Sequence, residues 1–465
     1  MATAAVVEQG LGMSAPDSSA ANREWRSFAN WALIWVVLAN AGFVCMWAIG
    51  APPRAPEIVG IGVLGLILRD KPVALQITGL LLAIAYTTIS FVAGLFNLGI
   101  SSLISSLRFF LEINPLNSIE YLIGAAVVCA LVALAIWRMR KPQDFSSSKM
   151  LLLAVGSVLS LAALDVYFGM GMRGHYMRAP AAGAPFESAI GKSGFVVTAQ
   201  QNERHMLIVM VESLGLPVDN AEMNRLLFER YKTSAVEQRF ELTSGTTTYY
   251  NSTTAAEVRE LCGRWGDYYD LLDAADNGCL PAQLRDQGYA TQAIHTFKAG
   301  FFERSDWYPN VGFDEQLFAE DLIESGARRC GGVFPGACDR DVPQMIAQQL
   351  TSAERPQFLY WLTLNSHLPV PPGQNLEVDN CATVSPELAT EFPMICRQFA
   401  IWDAVDAALV AEITASDFPP TDILIVGDHM PPYFDRHHRR QFAPDRVPWL
   451  HLRWRGEDAG EGEAL

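Results

Sequence analysis

Residues 205–215 read HMLIVMVESLG, a continuous apolar run that ends in an acid and a glycine. The stretches FLYWLTL at 358–364 and DILIVGDH at 422–429 have the same character. Helix-like stretches lie between these runs, for instance 281–287 and 342–353. Apolar strands without alternation, separated by helices, are typical of a parallel sheet that is covered on both faces. The sequence therefore predicts an α/β domain with a mostly parallel sheet.

Each of the three runs ends in polar residues that can do chemistry. These residues are Glu212, then Asn365 and His367, then Asp428 and His429. The carboxyl ends of parallel strands face a shared crevice, so we expect these side chains to meet there. A single acid after a strand is usually a helix cap or solvated. Glu212 together with Asp428 and His429, however, favours a site for Mn²⁺, Mg²⁺ or Zn²⁺.

The composition divides the chain of 465 residues into two unlike parts. It is 50% hydrophobic with a mean hydropathy of +0.15, yet its formal net charge is −16. Residues 1–172 carry 10 basic and 9 acidic residues, whereas 173–465 carry 24 and 41, a net charge of −17. Aromatic residues make up 10% of the chain, which excludes intrinsic disorder. The acidic charge argues against nucleic acid as a partner.

The N-terminal part contains hydrophobic runs of membrane-spanning length. Four of them approach or reach the ~20 residues that cross a bilayer, and a shorter fifth, 58–68, spans only if 51–57 joins it. The four longer runs are 31–49, 74–96, 121–137 and 150–170. Buried core helices of a soluble protein are the alternative. The pattern predicts an α-helical membrane bundle of about five spans, with the two chain termini on opposite sides.

Basic residues predict the orientation of this bundle. They flank the runs at Arg23 and Arg26, at Arg69 and Lys71, and at Arg138, Arg140 and Lys141. A cytoplasmic N-terminus places all three clusters inside, as the positive-inside rule requires. The C-terminal domain is then expected outside.

The cysteines agree with an outer domain. Six of the eight lie in the C-terminal part: Cys262, Cys279, Cys330, Cys338, Cys381 and Cys396. An even set outside the cytoplasm suggests disulfides, and pairing of sequence neighbours is one of 15 connectivities. The lack of a C-x2-C pair disfavours a zinc cluster.

Four motifs together resemble a known family. They are VMVESLG (209–215), NSTTAAEVRELCG (251–263), LTLNSHLPV (362–370) and IVGDHMPP (425–432). In order and spacing they resemble the sulfatase-like branch of the alkaline-phosphatase superfamily. The resemblance is strongest to membrane-bound lipoteichoic acid synthases and the phosphoglycerol transferases of periplasmic glucans, with phosphoethanolamine transferases as near relatives. It implies an alkaline-phosphatase/sulfatase-type domain behind a multi-pass anchor in a bacterial inner membrane, facing the periplasm.

The resemblance also implies a nucleophile and a cofactor. Thr253 matches the family's nucleophilic threonine and would itself be a metal ligand, with Thr254 as the next choice. Glu212, Asp428 and His429 match its metal ligands. The expected cofactor is one divalent ion, with Mn²⁺ favoured and Zn²⁺ or Mg²⁺ as alternatives. Threonine is a poor nucleophile at neutral pH, and metal coordination activates its hydroxyl. The competing interpretation is a set of polar turn and cap residues.

Several residues match the family's substrate-binding positions. Arg304, in Phe302-Glu303-Arg304, is expected to clamp a phosphate with its bidentate fork. Phe302 stands where the family often has tryptophan. His367, beside Asn365, matches a substrate-binding histidine that can shuttle a proton, and His295 is a weaker candidate. An ordinary surface arginine and structural histidines are the alternatives.

These observations predict five segments along the chain: a cytoplasmic tail (1–27), a transmembrane domain (28–172), a linker (173–204), an outer catalytic domain (205–455) and an acidic tail (456–465). The predicted activity is metal-dependent transfer of a phospholipid headgroup, phosphoglycerol by preference, through a phosphothreonine to an envelope glycan or glycolipid.

Other functions compete with this activity. The donor is expected to be phosphatidylglycerol or phosphatidylethanolamine, so phosphoethanolamine transfer and phosphodiester hydrolysis are the alternatives within the enzyme class. A degenerate scaffold or partner of a polysaccharide exporter is the non-enzymatic alternative. True sulfatase activity is disfavoured because the segment CLPAQ at 279–283 lacks the arginine of the C/S-x-P-x-R motif.

Overall fold

The structure is a computed structural model. It describes residues 18–49, 53–95, 100, 103–104, 119–169, 185–200, 204–250, 252–433 and 435–456. Most of the predicted N-terminal tail (1–27), part of the linker (173–204) and nearly all of the acidic tail (456–465) lie outside these residues. The chain divides into two compact units, an N-terminal helical unit and a C-terminal α/β unit.

The N-terminal unit consists of apolar helices. A nearly continuous helical stretch is built from Ser18–Ala32, a π-helical segment Leu33–Leu38, Ala39–Val44 and a 3₁₀ segment Cys45–Ile49. The other helices are Ala55–Leu68, Val73–Leu95, Ile119–Arg138 and Ser148–Gly169.

Three stretches of these helices are long and apolar enough to cross a membrane: Ala21–Trp47, Val73–Ala93 and Ser148–Phe168. Ala55–Leu68 and Leu122–Arg138 are shorter apolar helices. The presence of membrane-length helices agrees with the sequence, whereas the number of five spans stays a prediction.

Small residues let the helices of this unit pack closely. A Cβ atom on Gly65 would lie 2.5 Å from the Trp35 ring, and one on Gly62 would lie 2.4 Å from Val158. Both distances are shorter than a carbon–carbon contact allows. Helix Ala55–Leu68 therefore approaches its neighbours through its glycines, a common arrangement between membrane helices.

The C-terminal unit is built on a seven-stranded sheet of order β2-β9-β8-β1-β7-β3-β4, with β5 and β6 forming a separate hairpin. The strands are β1 His205–Val211, β2 Phe240–Thr248, β3 Ala290–His295, β4 Glu315–Leu317, β5 Arg329–Cys330, β6 Gly336–Ala337, β7 Gln357–Leu362, β8 Thr421–Gly427 and β9 Arg446–Trp454. Strands β8, β1, β7, β3 and β4 are parallel. Strand β9 is antiparallel to both β8 and β2. The mostly parallel sheet is confirmed.

Two hydrophobic cores cover the two faces of the sheet. Leu207 and Val209 of β1 belong to one core, and Met206 and Ile208 belong to the other. Successive side chains of a strand point to opposite faces, so a strand that is apolar throughout must be buried on both. This burial explains why the run at 205–211 shows no alternation.

Helices and short 3₁₀ turns supply the covering layers. The α-helices are Ala189–Ser193, Phe195–Gln200, Ala221–Leu226, Ser234–Arg239, Thr253–Cys262, Leu280–Asp286, Arg304–Trp307, Ala319–Glu324, Val342–Thr351, Cys381–Val384, Pro386–Glu391, Pro393–Ile413 and Arg436–Arg439. The 3₁₀ turns are Glu229–Tyr231, Tyr268–Leu271, Phe301–Glu303, Pro309–Val311 and Asp339–Asp341. The helices expected at 281–287 and 342–353 are present.

The described part of the predicted linker is packed rather than free. Ala189 and Phe195 are fully buried in one of the two cores. Three disulfides, Cys262–Cys279, Cys330–Cys338 and Cys381–Cys396, join sequence neighbours. This connectivity is the one that the sequence suggested among the 15 alternatives.

Candidate metal centre and nucleophile

The ends of β1 and β8 bring three potential metal ligands together. Glu212 directly follows β1, and Asp428 and His429 follow β8. One ligand atom from each of the three lies within 4.8 Å of the other two. A Cβ on Gly427 would lie 2.1 Å from the carbonyl oxygen of Leu214, so glycine is required for the two loops to approach this closely.

Thr253 joins this cluster from a different part of the fold. It is the first residue of helix Thr253–Cys262, which follows β2, and it is 8% exposed. Its Oγ1 lies 3.2 Å from Glu212 Oε2 and 3.3 Å from His429 Nε2. Thr254, the alternative nucleophile, has its hydroxyl 2.9 Å from that of Ser252. The geometry favours Thr253.

Hydrogen bonds orient the acidic side chains. Asp428 Oδ1 accepts the backbone N–H groups of Ser213 at 2.7 Å and His429 at 2.6 Å. The Ser213 hydroxyl donates to Glu212 Oε1 at 2.7 Å. His429 Nδ1 lies 2.9 Å from the carbonyl oxygen of Met430. A carbonyl only accepts, so Nδ1 carries a proton, and in the neutral ring Nε2 can offer its lone pair to a metal ion.

The electrostatics of the cluster are unbalanced without a cation. Glu212 and Asp428 are 2% and 0% exposed, and Asp428 Oδ2 accepts no hydrogen bond from any described residue. Burial, together with the Glu212 charge, raises the pKa of Asp428 to about 7. Burial alone would lower the pKa of His429, but Asp428 and Glu212 outweigh it and raise that pKa. Within the described chain, no lysine or arginine forms an ion pair with either carboxylate.

These features fit a divalent cation. Two buried carboxylates, an imidazole nitrogen and a hydroxyl converge on one point. Asp428 Oδ2 lies 3.3 Å from His429 Nε2 and accepts no hydrogen bond from a described residue. Buried charges are stable only when they are paired or when they coordinate a metal. Oxygen and nitrogen donors of this kind suit Mn²⁺, Mg²⁺ or Zn²⁺.

A buried arginine supports the metal-ligand loop, and the sequence did not reveal it. Arg259, 1% exposed, donates to the carbonyl oxygens of Gly427 at 3.2 Å and Asp428 at 3.5 Å. Its Nε also donates to Glu260 at 2.6 Å. Glu260 in turn accepts two backbone N–H groups at the start of helix Ala189–Ser193. The only sequence signal was the charge-rich stretch EVRE at 257–260, which begins four residues after the candidate nucleophile.

Arg304, the residue expected to clamp a phosphate, is buried in an ion pair with Glu257. Its side chain is 1% exposed, so it is not a surface arginine. Its Nε and Nη2 hold Glu257 at 3.1 and 2.7 Å, and Tyr308 and Tyr360 donate their hydroxyls to the same carboxylate at 2.6 and 3.1 Å. The edge that would clamp a phosphate is occupied by Glu257. A direct substrate contact of Arg304 therefore stays a prediction.

Phe302 and His295 lie near Arg304. Phe302 is half-buried, and the Arg304 guanidinium carbon lies 5.5 Å from its ring centroid. His295 is 1% exposed, and its Nδ1 lies 3.2 Å from the carbonyl oxygen of Leu362. Burial, and then the Arg304 charge, hold the pKa of His295 well below its usual value. A neutral, enclosed His295 fits the structural alternative at least as well as a substrate contact.

Asn365 and His367 follow β7 as expected but differ in their surroundings. The Asn365 side chain accepts from the N–H of Asp339 at 2.8 Å and donates to the carbonyl oxygen of Ala337 at 3.2 Å, so its amide is used within the fold. The His367 ring lies 4.2 Å from Phe334. Burial lowers the pKa of His367 to about 4. Substrate roles of both residues remain predictions.

The family model described as Sulfatase matches residues 204–451, more than half of the chain. The chain belongs to the sulfatase family. This sulfatase-family chain is also 28% identical over 156 residues to the "Putative cyclic beta-1,2-glucan modification protein" of Rhizobium meliloti. That match covers 33% of this chain and 23% of the relative, so it spans about a quarter of the relative's length.

Solved structures that are similar to this chain include the following two. The lipoteichoic acid synthase LtaP of Listeria monocytogenes is 17% identical, with a TM-score of 0.42, over 56% of this chain and 68% of that one. The Streptococcus pyogenes phosphoglycerol transferase GacH, solved with sn-glycerol-1-phosphate, is 18% identical, with a TM-score of 0.36, over 56% and 73% of the two chains.

Proposed function

We propose that this member of the sulfatase family is a metal-dependent transferase of phospholipid headgroups, with phosphoglycerol as the favoured group. The observation that carries the proposal is the position of Thr253. Its hydroxyl lies within 3.3 Å of both Glu212 and His429, at the start of a helix. A hydroxyl beside a metal site is suited to nucleophilic attack.

The proposed reaction has two displacements at phosphorus. In the first, Thr253 Oγ1 bonds to the phosphorus of the lipid as the bond from phosphorus to the diacylglycerol oxygen breaks. The threonine proton is lost, and diacylglycerol leaves with a proton. In the second, the oxygen of an acceptor hydroxyl bonds to the phosphorus as the bond from phosphorus to Thr253 Oγ1 breaks; the acceptor loses its proton and Thr253 regains one. The bond count is conserved, and neither an oxidant nor a reductant is needed.

The residues of this chain have distinct roles in that scheme. Glu212, Asp428, His429 and Thr253 would hold the metal. Bound there, a divalent ion lowers the pKa of the threonine hydroxyl and stabilises charge on phosphoryl oxygens. The backbone N–H groups at the start of a helix favour a bound negative charge. At the start of helix Thr253–Cys262, Ser252 makes no side-chain cap bond to these groups. They are suited to hold the phosphoryl group during transfer.

The membrane-length helices fit a donor that is itself a lipid. We infer a bacterial inner-membrane protein with several spans, in which basic residues keep the N-terminus inside and the catalytic domain outside. Anchoring in the bilayer that contains the donor raises the local donor concentration. The acceptor is proposed to be an envelope glycan or glycolipid, and the relative named for modification of cyclic beta-1,2-glucan supports this class.

The test is a donor and acceptor matrix with the purified full-length protein. Headgroup-labelled phosphatidylglycerol and phosphatidylethanolamine are each supplied with and without a cyclic glucan, and Thr253→Ala serves as the control. Label moving from phosphatidylglycerol to the glucan supports the proposal. Preference for phosphatidylethanolamine would indicate phosphoethanolamine transfer, and release to water alone would indicate a hydrolase. No release from either lipid in the presence of Mn²⁺ would contradict an enzymatic function.

A further inference from the structure

An arginine in the N-terminal helical unit has two buried side-chain N–H groups, on one edge of its guanidinium, that no described residue accepts. Arg54 directly precedes helix Ala55–Leu68 and is 4% exposed. Its Nε and Nη2 are buried, and neither donates a hydrogen bond to any described residue. The Phe43 ring centroid lies 3.7 Å from the guanidinium carbon and so covers one face of the group. A charged N–H group that is removed from water without an acceptor destabilises the fold.

The free edge of Arg54 is the one that binds oxyanions elsewhere in this chain. Arg304 holds Glu257 through Nε and Nη2, and Arg230 holds Asp403 through the same two atoms. Two parallel N–H groups on this edge match two oxygens of a carboxylate or a phosphate. Arg54 therefore has the geometry of an anion clamp, and no described residue supplies its anion.

Two carboxylates lie beside Arg54 without filling that edge. Asp165 accepts the backbone N–H of Arg54 through one oxygen and the Trp47 indole N–H through the other, at 2.9 Å. Glu57, one turn farther along the helix, accepts the Ser90 hydroxyl at 2.7 Å. A purely anionic ligand would be attracted by Arg54 and repelled by both acids. A ligand with a phosphate next to a cation would satisfy all three charges.

The position of this cluster indicates which molecule carries such a group. Trp47 lies at the end of the first long apolar stretch, and Asp165 lies near the end of helix Ser148–Gly169. Tryptophan is enriched where membrane helices meet the headgroup region of the bilayer. Charged residues in a membrane unit generally mark a functional site.

We propose that Arg54 binds the phosphate of a phospholipid headgroup, and that Glu57 and Asp165 make the site prefer a headgroup with an ammonium group, such as ethanolamine. Arg54 supplies the two-pronged phosphate contact, and the acids face the ammonium. The site needs neither the metal nor an acceptor, so it can exist whether or not the outer domain transfers headgroups.

The test measures lipid retention by the full-length protein with native mass spectrometry. Detergent-purified protein is titrated with phosphatidylethanolamine or phosphatidylglycerol. The wild type is expected to retain phosphatidylethanolamine in preference, and Arg54→Gln to bind it roughly tenfold more weakly. Arg54→Lys keeps the charge but not the fork, and it is expected to bind more weakly than the wild type as well. Arg140→Gln, the same substitution at an exposed arginine of this unit, should bind like the wild type.

Further variants separate the parts of the proposal. Glu57→Gln should reduce the preference for phosphatidylethanolamine over phosphatidylglycerol, because it removes a charge that faces the ammonium. An excess of inorganic phosphate should leave lipid retention unchanged. Retention like the wild type's in both Arg54 variants, with unchanged size-exclusion profiles, would overturn the proposal. Displacement of the lipid by inorganic phosphate would overturn the assignment to a lipid headgroup.

Discussion

Two buried glutamates near the same helix differ in how their charges are neutralised. Glu257 is fully buried, and Arg304 and the hydroxyls of Tyr308 and Tyr360 surround its carboxylate. Glu212 is 2% exposed, and it shares its surroundings with a second acid, Asp428. Arg304 pairs with Glu257, so the first cluster is neutralised within the protein. No described lysine or arginine pairs with Glu212, and His429 lies 3.6 Å from it, so we expect the second cluster to bind an ion.

The way a buried carboxylate is neutralised distinguishes a structural acid from a candidate functional acid better than its position in the sequence does. Glu257 lies four residues after Thr253, in the middle of a family motif, and by position it is as good a candidate as any. Its partners identify it as part of the packing that fixes helix Thr253–Cys262. Thr253 begins that helix, so the Glu257 cluster helps to position the candidate nucleophile from outside the candidate metal site.

The largest expected effect is the loss of the nucleophile. Thr253→Ala should lower headgroup transfer by about 10⁶-fold, the order of magnitude seen when the nucleophilic serine of a protease is removed. Thr253→Ser keeps a hydroxyl and should retain part of the activity. Initial rates with labelled phosphatidylglycerol measure both variants. Equal rates for Thr253→Ala and the wild type would show that another residue attacks phosphorus.

Metal binding should distinguish the two glutamates directly. Glu212→Gln removes a ligand charge, and its apparent affinity for Mn²⁺ should fall by roughly 10- to 100-fold or more. Glu257→Gln is the matched substitution in the self-neutralised cluster, and its metal content should stay near that of the wild type. Elemental analysis after dialysis against Mn²⁺ measures both. Equal metal loss in the two variants would remove the distinction between the clusters.

Stability, unlike metal binding, should depend more strongly on the Glu257 cluster than on the Glu212 cluster. Arg304→Met leaves the Glu257 carboxylate buried without its ion-pair partner, at a cost of about 3–5 kcal/mol. The full-length protein should therefore unfold at a clearly lower temperature when followed by tryptophan fluorescence. The double variant with Glu257→Leu should lose less stability than the sum of the two single variants, because it removes both charges together. Strict additivity would show that the pair is not coupled.

Asp406 is a partly buried acid with the Tyr231 hydroxyl beside it. Burial raises its pKa from 3.8 to about 7, and the Tyr231 hydroxyl donates to it at 2.9 Å. An acid with a raised folded-state pKa binds its proton more tightly in the folded state. Its contribution to stability therefore falls as the pH rises from about 4 to about 7. The smallest expected effect is the gain in stability when this pH-dependent loss is removed.

Asp406→Asn removes the ionisation and keeps an acceptor for Tyr231. At pH 8 it should stabilise the protein by on the order of 1–3 kcal/mol, and at pH 4 the difference should nearly vanish. Asp417→Asn, at an exposed position, is the control. Unfolding temperatures across this pH range measure the effect. A gain that does not depend on pH would contradict the assignment.

Sequence reasoning succeeded where one strand determines a residue's environment. The apolar runs at 205–211 and 422–427 predicted buried parallel strands, and the position of Glu212 and Asp428 followed from the edge at which such strands end. Sequence alone did not predict the antiparallel strand β9 or the threonine-rich β2 beside it. Strand β2 is at the edge of the sheet, where the apolar pattern weakens because the strand lacks a neighbour on one side, and proline, histidine and arginine interrupt the apolar pattern of β9.

Residues that act through tertiary contacts could not be predicted. EVRE at 257–260 has the composition of a solvated helix face, yet all four residues are buried. Arg259 and Glu260 pair with each other, whereas Glu257 pairs with Arg304 and Arg259 also donates to the carbonyl oxygen of Gly427, both distant in sequence. The pairing of Arg304 with Glu257 was not predictable for the same reason, and its expected role as a phosphate clamp stays a prediction. A local motif shows the type of a side chain, but not the group it pairs with.

The central claim is that the metal ligands Glu212, Asp428 and His429 activate Thr253 as the nucleophile. The most direct measurement traps the intermediate. Full-length protein is incubated with phosphatidylglycerol without acceptor, quenched and digested, and the tryptic peptide 240–259 is analysed by mass spectrometry. The account predicts a phosphoglycerol adduct on Thr253 that disappears with a chelator and returns with Mn²⁺. An adduct on another residue, or one that forms equally well with the chelator present, would contradict it.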